Sequence, residues 1–122
     1  LTAKEAATAA VSYAPNDAGR HAILARTLAV LGEKGAAVAE AKKAIQLLPE
    51  SVDAFEGPGI TEALAEVYAV TGENAKAIEV LSGLLDRPGT LTAEILKLDP
   101  TYDGLRQDPA FQKMFTEHGG ET

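Results

Sequence analysis

The chain has 122 residues, 46% of them hydrophobic but only 5% aromatic, and its 18 acidic against 11 basic side chains give a net charge of −7. That is one domain's length, and its negative field repels nucleic acid and anionic membrane, since no basic run exceeds Lys42-Lys43. The absence of cysteine excludes a disulfide framework and a thiolate zinc site. No run approaches the roughly 18–20 apolar residues of a membrane span, and no basic segment precedes an apolar leader. Alanine is abundant, and Val, Ile and Thr do not alternate, so the composition points to closely packed helices rather than a sheet.

Ala3, Ala7 and Ala10 fall on one face of a first helix that Pro15 ends. Asn16 or Asp17 then caps a helix to about Leu31, with Ala22, Leu24, Ala25, Leu28 and Leu31 on its apolar stripe. Gly32 stands where a C-cap needs the left-handed conformation. A helix from about Lys34 to Leu48 follows, with Ala37, Ala41, Ala44, Ile45 and Leu48 inward, and Pro49 stops it.

The stretch ESVDAFEGPG breaks this rhythm. Gly57-Pro58-Gly59 is a turn signal, with Val52 and Phe55 expected against the core. A helix from Ile60 to Val70 presents Leu64, Ala65, Val67 and Tyr68 and closes at Gly72. Asn74 caps a further helix to about Leu85, with Ala77, Ile78, Leu81 and Leu84 inward, ended by Arg87-Pro88-Gly89. In the tail, TLTAEILKLDP reads as a short helix stopped by Pro100. Asp108-Pro109 is a helix start with proline in the first turn, and Phe111, Met114 and Phe115 form one apolar face before Gly119-Gly120.

An internal period emerges. Ala3, Ala7, Ala10 and Pro15 recur as Ala37, Ala41, Ala44 and Pro49, offset by 34 at each position. Leu24, Ala25, Leu28, Gly32 and Ala37 recur as Leu64, Ala65, Tyr68, Gly72 and Ala77, offset by 40. The six extra residues fall between Val52 and Gly59, in a loop, where insertion costs least. A 34-residue helical hairpin period with these small, bulky and glycine positions resembles the tetratricopeptide repeat family. The resemblance covers residues 1–89: the second half of a truncated repeat (1–17), a full repeat (18–51) and another (58–89). Two departures stand out. His21 and Thr61 occupy the family's favoured tryptophan position, and Leu81 and Leu84 replace alanines of the preceding repeat.

Residues 90–122 form a capping segment over the last hairpin. Leu98-Asp99-Pro100, Asp103, Leu105, Asp108-Pro109 and Phe111 resemble the end of such arrays in bacterial multidomain signalling proteins, behind a kinase, a cyclase or a DNA-binding domain. The resemblance implies an all-α, α-α superhelix of stacked hairpins. It implies a scaffold rather than an enzyme, needing no cofactor and binding a protein or peptide on the concave face lined by the first helix of each pair. On that face the candidate positions are Ala22, Arg26, Ala29 and Val30, then Glu62, Glu66, Ala69 and Val70. Arg26 pairing locally with Glu62 or Glu66 is the plainer reading of the charges. Lys and Asn side chains that clamp a C-terminal carboxylate in some members are replaced here by Ala and Glu, so that activity is not implied.

Other chemistry finds little footing. His21 lies on a packing face and His118 near a helix end, where a cation suits the dipole, and the two lack metal-ligand spacing. The glycines at 32–35 and 57–59 follow no strand and match no phosphate loop. The chain opens inside a helical pattern, TAKEAATAAVSYAP, and is expected to be an excerpt of a longer protein. An unpartnered first helix then makes self-association an expectation too. The cytoplasm is the expected compartment, or an extracytoplasmic one if the parent protein carries a membrane span.

Overall fold

A computed structural model describes residues 2–87 and 91–120, and these are all-α, with no strand among them. The helices are α1 (Ala3–Tyr13), α2 (Ala18–Val30), α3 (Lys34–Leu47), α4 (Gly57–Val70), α5 (Asn74–Leu85), α6 (Ala93–Leu98) and α7 (Pro109–Glu117). A 3₁₀ helix, Pro100–Leu105, joins α6 to α7. No helix among the described residues is long and apolar enough to cross a membrane.

Local chemistry sets the boundaries. Thr2 and Glu5 form a reciprocal capping box at α1, and the Asp17 side chain accepts from the Arg20 amide at α2. Gly32 and Gly72 take φ of +80° and +83°, where a side chain would be strained. Each ends its helix in the same way. Glu33 N–H donates to Leu28 C=O at 2.9 Å and Glu73 N–H to Tyr68 C=O at 2.8 Å, the six-to-one bond of a Schellman motif.

These turns fold α2 back on α3 and α4 back on α5, while α2 also packs on α4, α3 on α4 and α1 on α2. The interhelix surfaces are made of small residues. Ala25, Ala37, Ala41, Ala44, Ala65 and Ala77 are fully buried, so the backbones approach closely. Leu24 and Leu28 are buried with Val67 in the N-terminal core, and half-buried Leu64 packs against it. The second core joins Tyr68, Ile78, Leu81 and Leu84 to Leu96, Tyr102, Leu105, Phe111, Met114 and Phe115. The tail segment therefore completes a core rather than trailing from one. Ion pairs follow the same stacking: Lys4 of α1 reaches Glu33 in the α2–α3 turn at 2.9 Å, and Lys34 of α3 reaches Glu73 in the α4–α5 turn.

Several expectations are corrected. Gly57-Pro58-Gly59 is not a turn but the first turn of α4, where proline lacks only an N–H that needs no partner. Gly57 is required there, since a Cβ would lie 2.7 Å from Glu50 Cα. Val52 and Phe55 point outward, 75% and 90% exposed. Leu31 is likewise 55% exposed, because α2 ends at Val30. Glu73 rather than Asn74 holds the N-cap position of α5, without a side-chain bond. Pro88 and Gly89, expected to end α5, lie outside the described residues.

Candidate functional site

The face shared by α2 and α4 holds the candidate binding positions, and packing divides them. Ala22 is buried with Ala44 and Ala63 under Ile60. Ala29 is buried in the N-terminal core, and Ala69 packs against the C-terminal one. The two buried alanines are therefore part of the helix–helix contact, not an open surface. The reason lies in the close approach of the α2 and α4 backbones that small residues permit. What remains accessible is apolar at Val30 and Val70, both exposed, and polar beside them: Arg26 donates from Nε to Glu66 Oε2 at 2.8 Å and from Nη2 to Glu66 Oε1 at 3.2 Å. This fork ties α2 to α4 across 40 residues of sequence. With Arg26 39% exposed it contributes roughly 0–1 kcal/mol to stability, leaving both groups available to a ligand. Beside it lies a pocket of about 100 Å³ lined by Arg26, Ala29, Val30, Glu66, Val70 and Thr101.

Glu62 is held differently. Tyr102, on the 3₁₀ helix that packs against α4, is fully buried and donates its hydroxyl to Glu62 at 2.8 Å. Burial pushes the Glu62 carboxyl above its usual range, and neighbouring Glu66 adds to this against the opposing hydrogen bond from Tyr102 and the charge of Arg26. The Tyr102 hydroxyl is pushed up as well, by burial and by Glu62. Thus the tail segment already occupies the Glu62 end of the face, leaving the Arg26–Glu66 end open.

Sequence reading missed the clamp that sets this segment. Arg106 donates from Nη2 to the carbonyls of Leu96 at 2.9 Å and Asp99 at 2.6 Å, satisfying the end of α6. Asp99 in turn accepts from the Thr101 amide at 2.9 Å, starting the 3₁₀ helix.

Neither histidine is placed for chemistry. His21 is buried, with Nδ1 at 2.5 Å from Glu40 and Nε2 at 2.7 Å from the Pro15 carbonyl. His118 has Nδ1 at 2.8 Å from the Met114 carbonyl and Nε2 at 2.6 Å from Asp86. Both nitrogens of each ring face acceptors, so each ring is satisfied only as an imidazolium. For His21, burial lowers the pKa, but Glu40 and the Pro15 carbonyl outweigh it and the value is raised, against an opposing Lys43. For His118 the bond to Asp86 raises it, aided by Met114 and Glu117. A raised basic pKa stabilises the fold fully below the unfolded value of about 6.5, and this is lost as pH rises through the folded value. Chemical unfolding midpoints are therefore expected to fall as pH rises above about 6.5. His21→Gln should flatten that slope, and an equally steep slope in the variant would exclude the bonds of His21 to Glu40 and Pro15 as its source.

Among the described residues no three His, Cys, Asp or Glu side chains gather as a metal site would require. Comparison with protein-family models, with curated proteins and with solved structures finds no match to this chain.

Proposed function

We propose that the chain is a non-catalytic, tetratricopeptide-type repeat module that binds a peptide or partner segment on the face shared by α2 and α4. One observation supports this most. The first helices of two hairpins closed by the same glycine motif lie side by side, joined by an accessible Arg26–Glu66 fork beside an open pocket. In the proposed superhelix this face is concave. The bidentate charges would be exchanged for those of a ligand carrying basic and acidic groups, while Val30 and Val70 offer apolar contact. The tail segment, resembling the endings of arrays in bacterial signalling proteins, closes the C-terminal end and limits the groove to the Arg26 side.

The test is charge reversal at the open end. Peptides selected from a random library on the wild-type chain should bind Arg26→Glu at least about tenfold more weakly, as expected for a desolvated charge pair at an interface. Helicity by circular dichroism should stay unchanged, since the fork contributes little to stability. Unchanged affinity would assign the binding to another surface.

A further inference from the structure

Two further apolar features lie beside the α2–α4 face and share only Val30 with it. One is a groove of about 490 Å³ where the start of α1 meets the end of α2, lined by Thr2, Ala3, Lys4, Thr27, Val30 and Leu31. The other is the inserted loop between α3 and α4, which holds Phe55 and Val52 almost wholly in solvent. Large apolar side chains presented together in this way mark interaction sites. We propose that the Val52–Phe55 loop of one copy docks into the α1–α2 groove of a second copy, so that the chain associates head to tail.

Size, rigidity and charge all favour this occupant. A cavity of about 150 Å³ accommodates a benzene ring, so a groove of about 490 Å³ has room for the phenyl ring of Phe55 with Val52 beside it. The loop is preformed. Asp53 accepts at 2.9 Å from the amides of both Phe55 and Glu56, and the amides of Val52 and Asp53 both donate to the Pro49 carbonyl. Little ordering cost then falls on binding. The loop carries Asp53 and Glu56 around its apolar pair, while the charged residue lining the groove is Lys4, whose exposed ion pair with Glu33 would be exchanged for one with the loop. Negative meets positive at the rim, which fixes register and orientation.

Geometry makes the association intermolecular. The groove lies at the α2–α3 turn, whereas the loop leaves the opposite end of α3, about 20 Å away along a helix of 14 residues. The two surfaces differ, so the contact is heterologous and does not close after one pairing. The Arg26–Glu66 fork is not involved, and failure of either reading leaves the other standing.

The experiment is sedimentation of the 122-residue chain from micromolar to millimolar concentration, with circular dichroism confirming that each variant is helical. Wild-type mass should rise past the dimer without a plateau. Phe55→Asp and Leu31→Asp, each alone, should be monomeric. Mixed in equal amounts they should form a heterodimer and nothing larger, because the first retains the groove and the second retains the loop. Lys4→Glu should weaken association about threefold, and adding Glu56→Lys should restore it. Arg26→Glu should associate as the wild type does. If Leu31→Asp does not fold, Ala3→Asp, in the exposed first turn of α1, replaces it. A wild-type monomer at millimolar concentration would overturn the proposal, as would a mixture that stays monomeric. Association abolished by Leu31→Asp but untouched by Phe55→Asp would show two grooves packing face to face, and would overturn the loop as occupant.

Discussion

Replacing Tyr102 by alanine should lower stability by about 3–5 kcal/mol, the range for deleting a large buried aromatic side chain. Tyr102 heads the fully buried side chains by size, and its ring fills the junction of the 3₁₀ helix with α4 and α5. Its loss opens a cavity and also leaves the half-buried Glu62 carboxyl without its hydroxyl donor. Tyr102→Phe separates the two effects. It keeps the ring and should cost about 1–2 kcal/mol, the cost of one unmet buried partner. Urea unfolding at neutral pH measures both, with an unchanged denaturant slope marking a true stability change. A loss under about 1 kcal/mol for the alanine variant would show that the tail segment is not docked on α4.

The second large effect runs against helix propensity. Ala25→Leu inserts three heavy atoms at a fully buried position among Ala7, Ala29, Ala37 and Ala41. Leucine forms helix almost as well as alanine, so local preference predicts no loss. Overpacking a close helix crossing predicts about 1–3 kcal/mol of destabilisation. The control is Ala36→Leu, on the exposed side of α3, which should change stability by less than about 0.5 kcal/mol. A neutral Ala25→Leu would mean that α2 does not cross its neighbours as closely as its buried alanines imply.

Helix chemistry was readable where one residue decides the outcome. Gly32 and Gly72 close their helices with positive φ, as their place after an apolar stripe implied. Asp17 and Asp108 cap the helices expected of them, and Pro109 sits in the first turn of α7. The period of 34 and 40 placed the alanines, and every repeat alanine from Ala25 to Ala77 is buried. The Thr2–Glu5 capping box is equally legible as T-x-x-E ahead of the alanine face.

What sequence could not supply depends on non-local packing. Pro58 reads as a loop residue until Gly57 is seen pressed against Glu50, which lets α4 begin three residues earlier than its apolar pattern. Hydrophobicity placed Val52 and Phe55 inside, but the inserted loop has no core to reach and turns them out. On the candidate face, one-turn spacing gave Arg26, Glu62 and Glu66 equal standing. The hydroxyl that engages Glu62 comes from Tyr102, 40 residues on, and only the docking of the 3₁₀ helix distinguishes the two carboxylates. Ala22 and Ala29 looked like surface for a related reason, since helical periodicity gives a direction but not the distance to the next helix. Both histidines read as packing and capping residues, but their second acceptors, Glu40 and Asp86, lie 19 and 32 residues away.

In the proposed function, ligands enter at the open, Arg26–Glu66 end of the α2–α4 face. Amide chemical-shift mapping of the ¹⁵N-labelled chain with a library-selected peptide reads this directly, residue by residue. The predicted result is a contiguous set of shifts at Arg26, Val30, Glu66, Val70 and Thr101. Shifts confined to the outer faces of α3 and α5, with those five residues unmoved, would contradict it.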